Sequence, residues 1–311
     1  MTIAESFAPA RVTTAHRITT VGDFFALLKP RVMSLVVFTG LAGIIVAPGH
    51  VNMLTGFTAL LCIAIAAGAS GALNMAYDSD IDVLMARTAT RPIPMGRVAR
   101  EEALAFGWAL AALAVATMWL FVNPLAAFLL AFTVFFYICV YTLWLKRRTP
   151  QNIVIGGLAG ALPPAIGWAS VTGSLSLAPL LLVAIIFLWT PPHFWALSLW
   201  RSEDYARAGV PMLPVVKGKP ATRRHILIYT ILLAPLGVLP AFVGLGGMLY
   251  LVASASMGFW MLLVAFATWR ERDPVREPSA RRLFGVSLLY VFVPFAALIA
   301  ERLFHLPPLW T

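Results

Sequence analysis

Three polar side chains spaced four apart, Asn74, Asp78 and Asp82, open the stretch NMAYDSDIDVLMARTATRPIPMGR, Asn74 to Arg97, directly after the apolar run Leu60 to Leu73. On a continuing helix each step of four drifts only about 40° around the axis, so the three form one ridge roughly 12 Å long. Oxygens in a row where a span meets water suit a hard cation. Mg2+ uses one or two protein carboxylates, keeps several waters and completes its shell with phosphate oxygens. Arg87 and Arg91 follow, also four apart. Cations so close to the carboxylates point to a bound anion, bridged by metal on one side and gripped by guanidinium on the other. The plainer alternative is a solvated loop whose charges only obey topology rules. Against it, three aspartates crowd a membrane edge whose other loops are mostly basic.

The elements that must position these residues are membrane helices. The chain of 311 residues is 60% hydrophobic and only 12% charged, which excludes a soluble domain. Apolar runs of spanning length recur at about 32–48, 53–74, 103–122, 125–145, 152–171, 177–199, 225–244, 247–268 and 283–300, so the expected fold is all-α and polytopic with about nine transmembrane helices. Lys and Arg fall in the N-terminal stretch, the loop Arg87 to Arg100, Lys146 to Arg148, Arg201 to Arg224 and Arg270 to Arg282, with Arg302 alone on the other side. The positive-inside rule then puts the N-terminus and every chemically interesting loop on the cytoplasmic (or matrix) face. The net charge of +10 is explained by these scattered loops, so no nucleic-acid partner is expected. Residues 1–29 read as a cytoplasmic tail without a signal-peptide core, 30–303 as one membrane domain and 304–311 as a short tail on the opposite face. Cys62 and Cys139 each lie inside an apolar run and have no metal-binding spacing.

Two further stretches carry candidate residues. In LWTPPHFWALSLWRSEDYARAGVPMLPVVKG, Pro191 and Pro192 are expected to break the sixth span one step before His193. His193 has three readings: a heme ligand, a proton donor, or a histidine hydrogen-bonded to a neighbouring helix. Glu203 and Asp204 form a second acidic point that offers one or two ligands at most, and the turn Gly209 to Pro214 is positioned to close over a site. In YTLWLKRRTPQN, Lys146 shares a face with Tyr141 and is within reach of a phosphate near the aspartates, while Arg147 and Arg148 also suit anchoring a span end. The small-residue run Gly156 to Trp168 either lets helices approach closely or, at Pro163 and Pro164, opens backbone toward a cavity.

Together the first motif with RTATRP, the KPR at Lys29 to Arg31, LKRRTPQN, and TPPHFWALSLWRSEDYARAGVPMLPVV resemble the protoheme IX farnesyltransferase (heme O synthase) family. That family lies in the superfamily of intramembrane prenyltransferases typified by 4-hydroxybenzoate polyprenyltransferase. The resemblance runs from about Lys29 to Arg282. It implies transfer of a farnesyl group from farnesyl diphosphate to a vinyl group of protoheme IX, with water adding to give a hydroxyethylfarnesyl side chain. It also implies Mg2+ held by Asn74, Asp78, Asp82 and Asp204, with Lys146 in the catalytic set. Arg87, Arg91, Arg147, Tyr141, His193 and Glu203 become substrate-binding residues. Phe194 and Trp195 either flank the porphyrin, shield the allylic cation or simply pack. Other branches carry several aspartates at the second acidic motif, where this chain has only Glu203 and Asp204. Heme A synthase or oxidase assembly factors are the protein partners implied. A bacterial inner membrane is the expected location, with the mitochondrial inner membrane as the alternative. A different aromatic acceptor, such as a quinone precursor, keeps the same chemistry. A secondary transporter would want acidic residues at mid-membrane depth, which the chain lacks.

Overall fold

A computed structural model describes residues 19–50, 52–273 and 275–309. Most of the tail expected at 1–29, and the last two residues of the one at 304–311, lie outside them. The described chain is helical throughout, and its only strand-like pairing is an isolated bridge between Gly247 and Pro308. In order the helices are α1 (Val21–Leu27), α2 (Pro30–Val46), α3 (Met53–Tyr77), the single turn α4 (Ser79–Asp82), α5 (Arg100–Phe121) and α6 (Pro124–Phe135). A π-helix, π1 (Phe136–Leu145), follows, then α7 (Asn152–Ala161), α8 (Pro163–Thr172), α9 (Leu177–Trp200), α10 (Ser202–Arg207) and α11 (Leu213–Val216). The chain ends with α12 (Gly218–Phe242), α13 (Met248–Trp269) and α14 (Pro278–Leu303). Eight spans are long and apolar enough to cross a bilayer, counting α6–π1 and α7–α8 as one each, and the pair α1–α2, bent by 54°, makes a ninth. The protein is a multi-span membrane protein, as its hydropathy predicts.

Successive spans pack side by side, and three further contacts close the bundle: α8 lies on α2, and α14 lies on both α2 and α9. The α2–α8 crossing is a glycine contact. A Cβ on Gly43 would sit 2.1 Å from the carbonyl oxygen of Pro164, and one on Gly167 would sit 2.2 Å from that of Gly40. Backbones meet this closely only where both faces lack side chains. Of the two readings of the run Gly156 to Trp168, close packing is therefore the one realised.

The expected break at Pro191 and Pro192 is absent. Both prolines are buried inside a continuous α9. Proline removes a donor and crowds the preceding turn, but α7, α12 and α14 flank α9 and hold its axis. Pro163 and Pro164 do mark a joint, because they open α8, where the first-turn N–H groups lack helical partners in any case.

Candidate functional site

Asn74, Asp78 and Asp82 share a ridge that bends at its middle member. Asp78 ends α3 with φ −96° and ψ 6°, yet the amide of Asp78 still bonds the carbonyl of Asn74 (3.0 Å) and that of Asp82 bonds Asp78 (2.9 Å). All three side chains are buried, the two carboxylates completely. The end of α3 is closed by cations: Arg100 Nε donates to the Ala76 carbonyl (3.1 Å) and Arg147 to that of Tyr77 (3.1 Å).

Each buried carboxylate has one gripped oxygen and one without a hydrogen-bond partner. Asp78 Oδ2 accepts from Lys146 Nζ and from Asn74 Nδ2 (2.7 Å), while its Oδ1 has only Arg147 at 3.7 Å. Asp82 Oδ2 pairs with Arg91 at 2.6 Å, and its Oδ1 accepts nothing. A buried acceptor left unmet costs roughly 1–3 kcal/mol. Two such oxygens one helical turn apart suit a divalent cation held by two carboxylates. Among the described residues no group of three or more His, Cys, Asp or Glu side chains is placed to hold a metal ion. Asp204 is buried at the start of α10, bound to Arg207 and 3.5 Å from Arg201, and Glu203 beside it is exposed.

The remaining predicted residues divide clearly. Arg147 forks onto Asp80 with two bonds of 2.7 Å, which holds the Asp80 carboxyl below the ordinary range. Arg87 is exposed and, among the described residues, has no hydrogen bond or ion pair. Tyr141 stacks on Tyr137 with ring centroids 5.4 Å apart. The turn predicted to close over the site is already packed: Val210 and Met212 are buried with Ile81, Met85 and Ile153, and Tyr141 and Tyr205 lie against them. His193 has the third of its readings. Its ring lies between Trp189 and Phe284, each with centroids 4.4 Å away, and Nδ1 is 2.7 Å from Ser287 Oγ on α14. Ser287 donates its own proton to the Phe284 carbonyl, so Nδ1–H is the donor and Nε2 keeps its lone pair. Trp195 is fully buried edge-on to His225 and Tyr229, a packing residue, while Phe194 is 37% exposed.

Three features escaped sequence reasoning. Thr142 accepts from Asn74 Nδ2 (3.2 Å) and donates to the Tyr137 carbonyl five residues back (2.8 Å). The second is π1 itself, whose backbone bonds reach five residues back, as from Lys146 N to Tyr141 O (2.9 Å), a geometry that concentrates at functional positions. The third is Lys29, whose Nζ donates to Asn74 Oδ1 at 2.9 Å. An apolar groove of about 490 Å3 opens on the flank between π1, α7 and α9, lined by Phe136, Ile155, Leu158, Leu180, Val183 and Phe187, and it shares no residue with the acidic cluster.

A fold of nine spans with paired acidic and basic loops at one end matches known proteins. The pattern of the UbiA prenyltransferase family fits residues 36–291. A protoheme IX farnesyltransferase of Parvibaculum lavamentivorans is 60% identical over 91% of this chain and 90% of its own. One of Azorhizobium caulinodans is 59% identical over 90% and 92%. Among solved structures, a digeranylgeranylglyceryl phosphate synthase superposes with a TM-score of 0.73 at 17% identity, covering 90% of this chain and 98% of that one. A UbiA homologue from Archaeoglobus fulgidus bound to DMAPP and Mg2+ gives 0.64 at 17% identity, over 89% and 99%. The chain belongs to the UbiA prenyltransferase family and, within it, to the protoheme IX farnesyltransferases.

Proposed function

We propose that this protein transfers the farnesyl group of farnesyl diphosphate to a vinyl group of protoheme IX in a Mg2+-dependent reaction. The observation that carries the metal site is the pair of buried oxygens on Asp78 and Asp82 that accept no hydrogen bond. Asn74, Asp78 and Asp82 would hold the ion. When bound, it would neutralise charge on the departing diphosphate. Lys146 and Arg91, then released from the carboxylates, take phosphate oxygens, and the exposed Arg87 and Arg147 receive the anion as it enters. The bond from farnesyl C1 to oxygen breaks with its electron pair leaving on diphosphate, and the vinyl π electrons close the new carbon–carbon bond. Water then captures the carbocation on the porphyrin side and loses a proton, leaving the hydroxyethylfarnesyl group. The Tyr137–Tyr141 stack, carried by the same π-helix that leads into Lys146, offers aromatic surface beside the charge that develops. Asp204 is assigned to organising Arg201 and Arg207 rather than to the metal. The site works at the cytoplasmic face of a bacterial inner membrane.

The test incubates the detergent-solubilised protein with farnesyl diphosphate, protoheme and Mg2+ and weighs the porphyrin by mass spectrometry. A farnesylated, hydrated heme that disappears with EDTA is expected, and Asp78→Asn should lower the yield at least about 100-fold. Unmodified heme, with diphosphate released only when 4-hydroxybenzoate is supplied, would move the protein to another branch of the family.

A further inference from the structure

Lys29 is built to reach Asn74, and the construction is costly. It has φ 51° and ψ 53°, one of three non-glycine residues with positive φ among those described. Left-handed backbone is unfavourable for a lysine, which has no short polar side chain to bond locally there. From this position it ends the α1–α2 bend, and its carbonyl starts α2 by accepting from Val32 (2.9 Å) and Met33 (3.0 Å). Its stem crosses α3 along glycines. A Cβ on Gly71 would lie 3.3 Å from the Leu27 carbonyl and 3.4 Å from Lys29 Cδ, and one on Gly68 would lie 3.1 Å from Leu28. Gly68, Gly71 and Asn74 step three apart, so the track along α3 leads to the amide.

The amide has one sensible orientation here. Nδ2 faces Asp78 Oδ2 and Thr142, and Oδ1 faces the Lys29 ammonium. Reversing it would set oxygen against carboxylate and NH2 against ammonium. A cation shared by Asn74 and Asp78 requires Asn74 to offer oxygen toward Asp78, so the amide must turn over and Lys29 must lose its acceptor. Resting on the metal role proposed above for Asn74, Asp78 and Asp82, we propose that Lys29 is a latch on the Asn74 amide: it holds Oδ1 away from the metal site and opposes metal loading in the absence of substrate. Lys29 is thus a positioning residue that acts through Asn74.

Two substitutions remove the ammonium and keep the left-handed turn, Lys29→Gly and Lys29→Asn, because glycine and asparagine adopt it readily. Binding of Mn2+ to the purified, substrate-free protein is followed by electron paramagnetic resonance at low and high ionic strength. Both variants are expected to bind Mn2+ about tenfold more tightly than the natural chain, and Lys29→Arg is expected to match the natural chain. The gain persists in high salt, because it comes from a vacated acceptor and not from a distant charge. Thermal melting of Lys29→Gly at or above the natural midpoint shows that the fold is retained. Unchanged Mn2+ affinity in both variants, or a gain abolished by salt, overturns the latch. Asp78→Asn separates the two readings. If Mn2+ binding needs Asp78 but ignores Lys29, only the latch fails. If binding ignores Asp78 as well, the carboxylate site fails and the latch with it.

Discussion

The residue that best shows how the site is assembled is Thr142. Its hydroxyl accepts from Asn74 and donates down π1, so one side chain ties the acidic ridge to the helix that delivers Lys146. Thr142→Val keeps the shape and removes both bonds. We expect it to cost about 1 kcal/mol in thermal unfolding and to lower heme farnesylation about tenfold, with Thr142→Ser close to the natural chain. The ridge itself was legible, because a four-residue spacing of oxygens at a span end needs no knowledge of the rest of the fold. What grips it was legible only in part. Arg91, nine residues from Asp82, was expected near the ridge but on a bound anion, whereas Lys29 and Thr142 are 45 and 68 residues from Asn74. No local pattern reports that distance. The π-helix escaped for a related reason: its sequence, FYICVYTLWL, is apolar and aromatic whether wound five or four residues back.

At the scale of elements, glycine and proline act according to their place. Gly43→Ala should destabilise the protein by more than about 3 kcal/mol, since its Cβ would meet the Pro164 backbone at 2.1 Å and α2 would have to leave α8. Gly160→Ala, in α7 with nothing within 4 Å, should stabilise by up to about 1 kcal/mol, and thermal melts of the two variants should move in opposite directions. The start of α14 depends on a remote carboxylate. Glu271 accepts from the amide of Ser279 (3.1 Å) and from those of Arg272 and Asp273, and these bonds lower its pKa from 4.5 to about 2. A depressed acid stabilises fully above its unfolded value and loses that contribution as pH falls through the folded one. The melting difference between the natural chain and Glu271→Ala should therefore be constant above about 4.5 and shrink toward about pH 2. Sequence showed where prolines stand but not that α9, flanked by three neighbours, would run unbroken through two of them.

For the whole molecule, the basic residues and the span count agree on one orientation. The three contacts Lys29–Asn74, Asp78–Lys146 and Arg223–Glu277 gather at one end, while Asn123 to Ala169 and Glu301 to Gly247 tie together the other. Cysteine placed at exposed Arg276 should react with an impermeant maleimide only in inverted vesicles, and cysteine at exposed His50 only in intact spheroplasts. The reverse pattern would move the site to the outer face. Hydropathy made the number of spans legible because burial in lipid constrains every residue of a span. It left open which helices touch, since the closing contacts α2–α8 and α14–α2 are set by small surfaces that many pairings would satisfy.

On the acidic ridge each carboxylate faces one cation, Asp78 against Lys146 and Asp82 against Arg91. For the proposed reaction this has a consequence for binding. A carboxylate gives up its partner most readily when another cation replaces it, and the freed Lys146 or Arg91 is best satisfied when an anion receives it. Metal and diphosphate therefore strengthen each other's binding, and metal alone binds more weakly than metal with substrate. The same exchange run backwards frees inorganic diphosphate with its metal attached, which makes product release the mirror image of entry.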